Sequence, residues 1–258
     1  MPKFAANLSM MFTELPFLDR LAAAAEAGFC AAEFLSPYEH LPQAIERAAQ
    51  RAGLVVSLFN LPPGDWGAGE RGIACHPGRE NEFRASVDRA LSYAKCLGTA
   101  HLHAMAGIVP AGADIARCRT TLIENLKYAA ERLAENEIIL LLEAINTRDM
   151  PGFLVSTQAD CHSICAAVGA KNLKMQMDCY HMQVAEGDLT TKLRKYAAEC
   201  GHIQIAGCPE RAEPDTGEVR YEYLFRLIDE LGYASWIGCE YRPRAGTVAG
   251  LNWLRNMR

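Results

Sequence analysis

The sequence predicts a single α/β domain, residues 1–258, folded as a (β/α)8 barrel of the TIM type. Short apolar runs alternate with longer amphipathic stretches along the whole chain, which indicates strands alternating with helices. Eight such runs are found, and eight strand–helix units are the number that closes this barrel. The length of 258 residues is also typical of the fold as one domain.

The predicted strands are nearly continuous apolar runs, as expected for a parallel sheet that is covered by helices. They lie at 4–8, 31–35, 55–59, 100–105, 138–143, 173–178, 202–207 and 236–241. An open doubly wound sheet is the alternative arrangement of the same elements. No glycine-rich phosphate loop follows the first strand, so we prefer the closed barrel.

Helix-like segments fill the intervals between the strands, with apolar residues three and four positions apart. Examples are "FLDRLAAAAEAG", "AIERAAQRAG", "RTTLIENLKYAAERLAE" and "YLFRLIDELG". Two connections, 60–80 after strand three and 207–221 after strand seven, are rich in Pro, Gly and Asp and are predicted loops. Both follow the carboxyl ends of strands, which is the catalytic face of such a barrel.

Composition limits the classes of partner. A net charge of −5 argues against binding to a nucleic-acid backbone. The first residues, "MPKFAANLSMMFTELPF", are too polar for a signal peptide or a membrane span, so we expect a cytoplasmic protein with no membrane partner. The ten cysteines form no CxxC pair, and we expect reduced core thiols rather than a structural zinc site.

Polar side chains end four consecutive predicted strands: Glu143, Asp178, Gln204 and Glu240. Their spacing of about one βα unit places them at similar heights around half of the barrel. Three carboxylates gathered in an apolar wall repel one another, and a divalent cation would relieve that repulsion. An all-oxygen set of ligands favours Mg²⁺ or Mn²⁺ over Zn²⁺.

Other side chains could reach the same mouth of the barrel. His181 follows Asp178 by three residues and is a candidate for contact with a metal or a substrate. His101 and His103 alternate on strand four, and His103 is the one we expect to touch substrate. Arg211, in the loop after strand seven, could pair with a substrate carboxylate or be a solvated loop charge.

The placement of two glutamates indicates proton-transfer chemistry. Glu143 and Glu240 come from strands five and eight and could flank a small ligand. One glutamate could remove a proton from a carbon while the other returns one to the neighbouring carbon. With a metal that stabilises an enediolate, this predicts isomerisation or epimerisation of a hydroxycarbonyl compound.

These residues lie in stretches by which the whole chain resembles the hydroxypyruvate isomerase family of xylose-isomerase-like barrels. The stretches are "FAANLSMMF", "PPGDWGAGERGIACHPGRE", "LLEAINTRDMPGF", "MQMDCYHMQVAEGDLT", "GHIQIA", "EPDTGEVRY" and "GCEYRPRAGTVAGLNWL". The resemblance implies a metal held by the four strand-end residues and an acid/base pair formed by Glu143 and Glu240. It also implies substrate contacts by His181 and Arg211, and interconversion of hydroxypyruvate and tartronate semialdehyde.

The sequence departs from the family pattern at two places and leaves alternatives open. Ala144 stands where a proline often follows the glutamate, and "GCPERAEP" lacks a glycine that often precedes the arginine. A four-carbon substrate such as 2-oxo-tetronate, or a ketose epimerase, is therefore an alternative. A metal-dependent nuclease and a non-catalytic sugar-binding barrel are less favoured, because the chain has few histidines near strand ends and keeps both glutamates. A homo-oligomer is compatible with the sequence but is not predicted by it.

Overall fold

Eight parallel strands pair in chain order in the computed structural model, which describes residues 2–255, and the first strand pairs with the last. The strands are β1 (Lys3–Asn7), β2 (Ala31–Phe34), β3 (Val55–Asn60), β4 (His101–His103), β5 (Ile139–Glu143), β6 (Leu173–Asp178), β7 (Cys200–Ile205) and β8 (Trp236–Cys239). The predicted closed (β/α)8 barrel is confirmed.

Helices connect the strands and cover the outside of the barrel. They are α1 (Phe17–Glu26), α2 (Pro42–Ala52), α3 (Glu80–Leu97), α4 (Ile115–Ala134), α5 (Gln158–Val168), α6 (Cys179–Ala185), α7 (Leu189–Tyr196), α8 (Tyr221–Glu230) and α9 (Asn252–Arg255). Single 3₁₀ turns occur at Ala197–Glu199 and Val248–Gly250. Two helices, α6 and α7, share the connection between β6 and β7.

Two predicted strands are longer than the strands observed by two residues or more. The run 100–105 contributes only His101–His103, and the run 236–241 contributes only Trp236–Cys239. After His103 the chain leaves the sheet and meets the loop that follows β3, where the amide of Cys75 donates to the carbonyl of Ala106 at 2.8 Å. The apolar character of these segments therefore continues beyond the strands, into the rim of the barrel.

The helices follow ordinary sequence rules. In α8 the buried residues include Leu224, Phe225 and Ile228. Ile228 follows the other two by four and three positions, so one stripe of the helix faces the barrel. Asp114 caps α4 by accepting a hydrogen bond from the amide of Ala116. Gly53 ends α2 with φ of 66°, the left-handed conformation that glycine adopts at no steric cost.

The loop after β3, residues 61–79, folds back over the mouth of the barrel. Gly72 has φ of 100°, and a Cβ atom there would lie 2.3 Å from the carbonyl oxygen of Met105. Only glycine allows this close approach of two backbones. Arg79 pairs with Glu70 and Glu82 and so ties the loop to the start of α3.

Two further expectations concern features outside the site. All ten cysteines are free thiols, but Cys30 is exposed rather than part of the core. Among residues 2–255, no helix combines the length and apolar character needed to cross a membrane.

Candidate active site

A cavity of about 730 Å³ opens at the carboxyl ends of the strands. Its floor includes Glu143, which ends β5, Gln176, which lies within β6, and Glu240, which follows β8. Pro63 and Trp66, from the loop after β3, line its outer part. The cavity therefore lies on the face where this fold carries its chemistry.

The four strand-end residues predicted as metal ligands gather at this face. Glu143 ends β5, Asp178 ends β6, Gln204 is next to last in β7, and Glu240 follows β8. The register aligns Asp178 with Gln204, and Gln204 with Gly238. All four are buried, with the most exposed, Glu240, at 6%. Strand register alone thus brings together side chains that are far apart in sequence.

Burial and mutual repulsion raise the pKa values of the carboxyl groups. Burial raises the pKa of Glu143 well above its usual range, and Glu240 and Asp178 add to the effect. Burial also raises the pKa of Glu240 to about 8, although the nearby Arg211 opposes the shift. The pKa of Asp178 is raised for the same reason, again against the influence of Arg211. A carboxyl group such as Glu240, whose pKa is raised to about 8, can both accept and donate protons near neutral pH.

Arg211 supplies a buried positive charge to this group. Its Nη2 donates to Glu240 Oε1 at 2.6 Å and to Asp178 Oδ2 at 3.4 Å, and its Nε donates to the backbone carbonyl of Glu240. The guanidinium also lies 4.9 Å from the centre of the Tyr180 ring. Arg211 is only 7% exposed, so the alternative of a solvated loop charge is wrong.

His103 and His181 both line the cavity. The Nδ1 of His103 donates to Asn60 Oδ1 at 3.2 Å, which leaves Nε2 unprotonated and 3.7 Å from Glu143 Oε2. Burial lowers the pKa of His103 to about 3, so the ring is neutral. The ring of His181 is held by Asn146, with 2.6 Å between Nδ1 and the amide nitrogen. Burial lowers the pKa of His181 as well.

Several lone pairs in the site could bind a cation. Glu143 Oε1, Gln176 Oε1 and His103 Nε2 are buried and have no hydrogen-bond partner within residues 2–255. These acceptors belong to neighbouring residues on β4, β5 and β6. Buried acceptors without a donor are costly unless a cation or a ligand satisfies them. The residues present therefore fit a divalent metal ion.

One cluster of potential ligand atoms is particularly tight. Atoms of Glu143, Asp178 and His181 all lie within 4.8 Å of one another. The side chain of Gln204 is already hydrogen-bonded at both ends, unlike the free acceptors above. Its Oε1 accepts from Gln176 at 2.7 Å, and its Nε2 donates to two carboxylates. The cluster thus shares Glu143 and Asp178 with the predicted set and adds His181.

Sequence reasoning missed other polar residues that line or support the site. Glu33 on β2 is fully buried and contacts Gln204, and Asn7 ends β1 within 3.4 Å of Glu240. Gln176 ends no strand, but its side chain reaches the cavity. Glu33 carries the same signal that identified Glu143, a single carboxylate inside an apolar run, and could have been found by it.

Arg242 also lies in the wall of the cavity. Its backbone amide donates to the carbonyl of Arg211 at 2.8 Å, which fixes where its side chain begins. Within residues 2–255 its guanidinium makes no ion pair or hydrogen bond, whereas that of Arg244 pairs with Glu213. Arg242 is therefore the cavity-lining arginine whose charge is available to a ligand.

Comparison with known proteins gives the family. The family described as "Xylose isomerase-like TIM barrel" matches residues 21–257. A 2-oxo-tetronate isomerase of Cupriavidus necator is 58% identical over 99% of this chain and 98% of its own. The hydroxypyruvate isomerase of Escherichia coli is 46% identical over 98% of both chains.

Solved structures agree on the fold. A crystal structure described as a family 2 AP endonuclease from Brucella melitensis is 48% identical, covers both chains completely and has a TM-score of 0.98. A 3-keto-D-glucoside 4-epimerase from Escherichia coli, 20% identical over 99% of both chains with a TM-score of 0.82, shares the barrel alone. The predicted isomerase is confirmed by the relatives named as isomerases, and the chain belongs to the xylose isomerase-like TIM barrel family.

Proposed function

We propose that the protein interconverts hydroxypyruvate and tartronate semialdehyde, with Glu143 and Glu240 as its acid/base pair. The observation that carries this proposal is the placement of both glutamates in the floor of one cavity, each with a raised pKa. A general acid or base works best when its pKa is near the working pH. The relatives named as hydroxypyruvate isomerase and 2-oxo-tetronate isomerase support the same reaction type.

We propose Mg²⁺ or Mn²⁺ as the cofactor, held by Glu143, Asp178, Gln204 and Glu240. His181 lies in a compact cluster with Glu143 and Asp178. Because its Nδ1 accepts from Asn146, its Nε2 carries the ring proton and is assigned to contact with substrate rather than with the metal. When bound, such an ion would polarise the substrate carbonyl and stabilise the negative charge of an enediolate. The hard oxygen donors and the unsatisfied buried acceptors support this choice.

The chain's own groups account for the proton movements. In hydroxypyruvate, one glutamate takes a proton from C3, and the electron pair left behind forms the C2–C3 double bond of the enediolate. The other glutamate delivers a proton to C2. The proton of the C3 hydroxyl passes to the C2 oxygen, so that C3 becomes the aldehyde and C2 carries the hydroxyl. His103 is neutral and has a free Nε2, so it accepts a hydrogen bond from a substrate hydroxyl. Arg211 and His181 lie beside the reacting carbons.

A second candidate substrate is 2-oxo-tetronate, and a specific observation favours it. The relative that is 58% identical carries that name, against 46% for the hydroxypyruvate isomerase. The cavity of about 730 Å³ also has space for a fourth carbon. The same glutamates would perform the same proton transfer on either acid.

The experiment is proton NMR in D₂O with chelator-treated protein, each acid in turn, before and after Mn²⁺ or Mg²⁺ is added. Metal-dependent conversion with deuterium at carbon supports the proposal. The acid that is converted with the higher kcat/KM is the preferred substrate. Glu143→Gln and Glu240→Gln should each lower kcat by roughly 10²- to 10⁴-fold. Glu124→Gln, an exposed residue of α4, is the control that should keep wild-type activity. Full activity in either site variant would rule out its assigned role.

We also propose where the enzyme acts. A place in the cytoplasm and in glyoxylate metabolism fits the ten free thiols and the proposed small acid substrate.

The nuclease alternative is tested with the same protein preparation, from which we expect no cleavage of DNA that contains abasic sites.

A further inference from the structure

Glu33 is a fully buried carboxylate that the proposed reaction does not use. It lies on β2, where the neighbouring residues Ala32 and Phe34 are also buried. A carboxylate in such a place is costly unless its oxygens are well hydrogen-bonded. Both oxygens have partners: Oε2 is 2.8 Å from His202 Nε2, and Oε1 accepts from Gln204 and Asn7.

Two amide groups connect Glu33 to Glu240. Gln204 Nε2 donates to Glu33 Oε1 at 2.7 Å and to Glu240 Oε2 at 2.5 Å. Asn7 Nδ2 donates to the same two oxygens, at 3.1 Å and 3.4 Å. An amide nitrogen has two hydrogens, so each group can serve both carboxylates at once. Glu33 thereby holds the nitrogen side of each amide towards Glu240, while Gln176 and the backbone amide of Ser9 donate to the carbonyl oxygens of Gln204 and Asn7.

The barrel provides space specifically for this carboxylate. Gly238, on β8 two residues before Glu240, would place a Cβ atom 2.3 Å from Glu33 Oε1 and 2.4 Å from Oε2. Its backbone has no positive φ, so space, not conformation, requires glycine here. Glycine weakens a strand interior unless another group approaches closely. The close approach of Glu33 is a reason for Gly238.

We propose that Glu33 is a positioning residue for Glu240. Its carboxylate orients the amides of Gln204 and Asn7 so that both donate to Glu240 Oε2, and His202 holds Glu33 from the other side. Without this acceptor, the amide of Gln204 would keep only the bond that Gln176 donates to its carbonyl oxygen, and the amide of Asn7 only the bond from the Ser9 amide. Both amides would then hold Glu240 Oε2 less firmly. The inference rests on the proposed acid/base role of Glu240.

The test is Glu33→Gln, which keeps the shape of the side chain and replaces one acceptor oxygen with a donor. We expect kcat for isomerisation to fall roughly 10- to 100-fold, because small misplacement of a reacting group has effects of this size. KM should stay within about twofold, since Glu33 does not touch the substrate. The affinity for Mn²⁺ measured by calorimetry should fall, because Glu33 orients Gln204 and Glu240, which are among the proposed ligands. A merely structural role would instead lower the folded fraction and leave kcat per folded molecule unchanged.

Two further variants keep the inference falsifiable. Gly238→Ala displaces Glu33 without changing its chemistry, so it should lower kcat as well, and the double variant should lose little more than either single variant. Ser57→Ala removes a buried hydrogen bond to Ala32, beside Glu33, and should leave kcat unchanged. An unaltered kcat in a folded Glu33→Gln protein would overturn the inference while the wild type remains active. A wild type inactive on both acids would instead overturn the proposed function.

Discussion

Arg211 Nη2 lies 2.6 Å from Glu240 Oε1, so a protein cation is bonded directly to one of the two candidate acid/base groups. The same nitrogen is 3.4 Å from Asp178 Oδ2. The guanidinium of Arg211 is thus bonded to two carboxyl groups of the protein itself. The family resemblance had implied that Arg211 contacts the substrate instead. Arg211 therefore links the stability of the barrel to the electrostatics of its site.

Removing this charge should destabilise the protein. We expect Arg211→Met to lower the free energy of unfolding by about 2 kcal/mol in chelator-treated protein, because two buried carboxyl groups lose their partner. The loss should be smaller than for permanently charged partners, since both groups can take up protons. Urea unfolding followed by circular dichroism measures it.

The matched comparison for Arg211 is Arg132, whose ion pairs with Asp88 and Glu135 are exposed. Arg132→Met should scarcely change the urea midpoint, because exposed pairs contribute little. Equal midpoints for wild type and Arg211→Met would contradict the role given to Arg211.

The sequence predicted the fold well because barrel strands and helices carry local signals. Each strand is a short apolar run, and the strand-end residues Glu143, Asp178 and Gln204 could be placed by counting βα units. The pairing of Arg211 with Glu240 could not be predicted, because it depends on how a loop folds over the barrel mouth. Glu33 carries the same sequence signal as Glu143, but its hydrogen bonds to side chains on β1 and β7 could not be predicted from that signal.

Arg242 should determine the preference for acids over neutral sugars. Its guanidinium is in the cavity wall and is unpaired within residues 2–255, so it can bind a substrate carboxylate. We expect Arg242→Met to raise KM for hydroxypyruvate roughly tenfold with kcat little changed, since the carboxylate does not react. Initial rates over a range of substrate concentrations measure both constants.

The control for Arg242 is Arg244, two residues away and already paired with Glu213. Arg244→Met should leave KM for hydroxypyruvate close to the wild-type value. Any slow turnover of dihydroxyacetone, which has no carboxylate, should be unaffected by Arg242→Met. A KM that is unchanged for the acid would show that another group binds the carboxylate.

Metal binding should stabilise the folded chain. At 100 times Kd, a ligand that binds only the folded state contributes about 2.7 kcal/mol, which for this size of protein raises Tm by roughly 5 °C. We expect this rise with Mn²⁺ in the wild type and its loss in Asp178→Asn, which removes a charge from the tight cluster. Differential scanning fluorimetry after chelator treatment measures it. An equal rise in both proteins would place the metal elsewhere.

His101 should make the fold sensitive to mild acid. Burial, with a smaller effect of His202, lowers the pKa of His101 to about 4 from an ordinary value of 6.5. Between these values the unfolded chain binds more protons than the folded chain, so stability falls as pH drops from 6.5 towards 4. His101→Gln removes this contribution, and its stability loss between pH 7 and pH 5 should be smaller by on the order of 1 kcal/mol. Urea midpoints at the two pH values measure the difference, and parallel losses in the variant and the wild type would mean that His101 is protonated as easily in the folded barrel as in water.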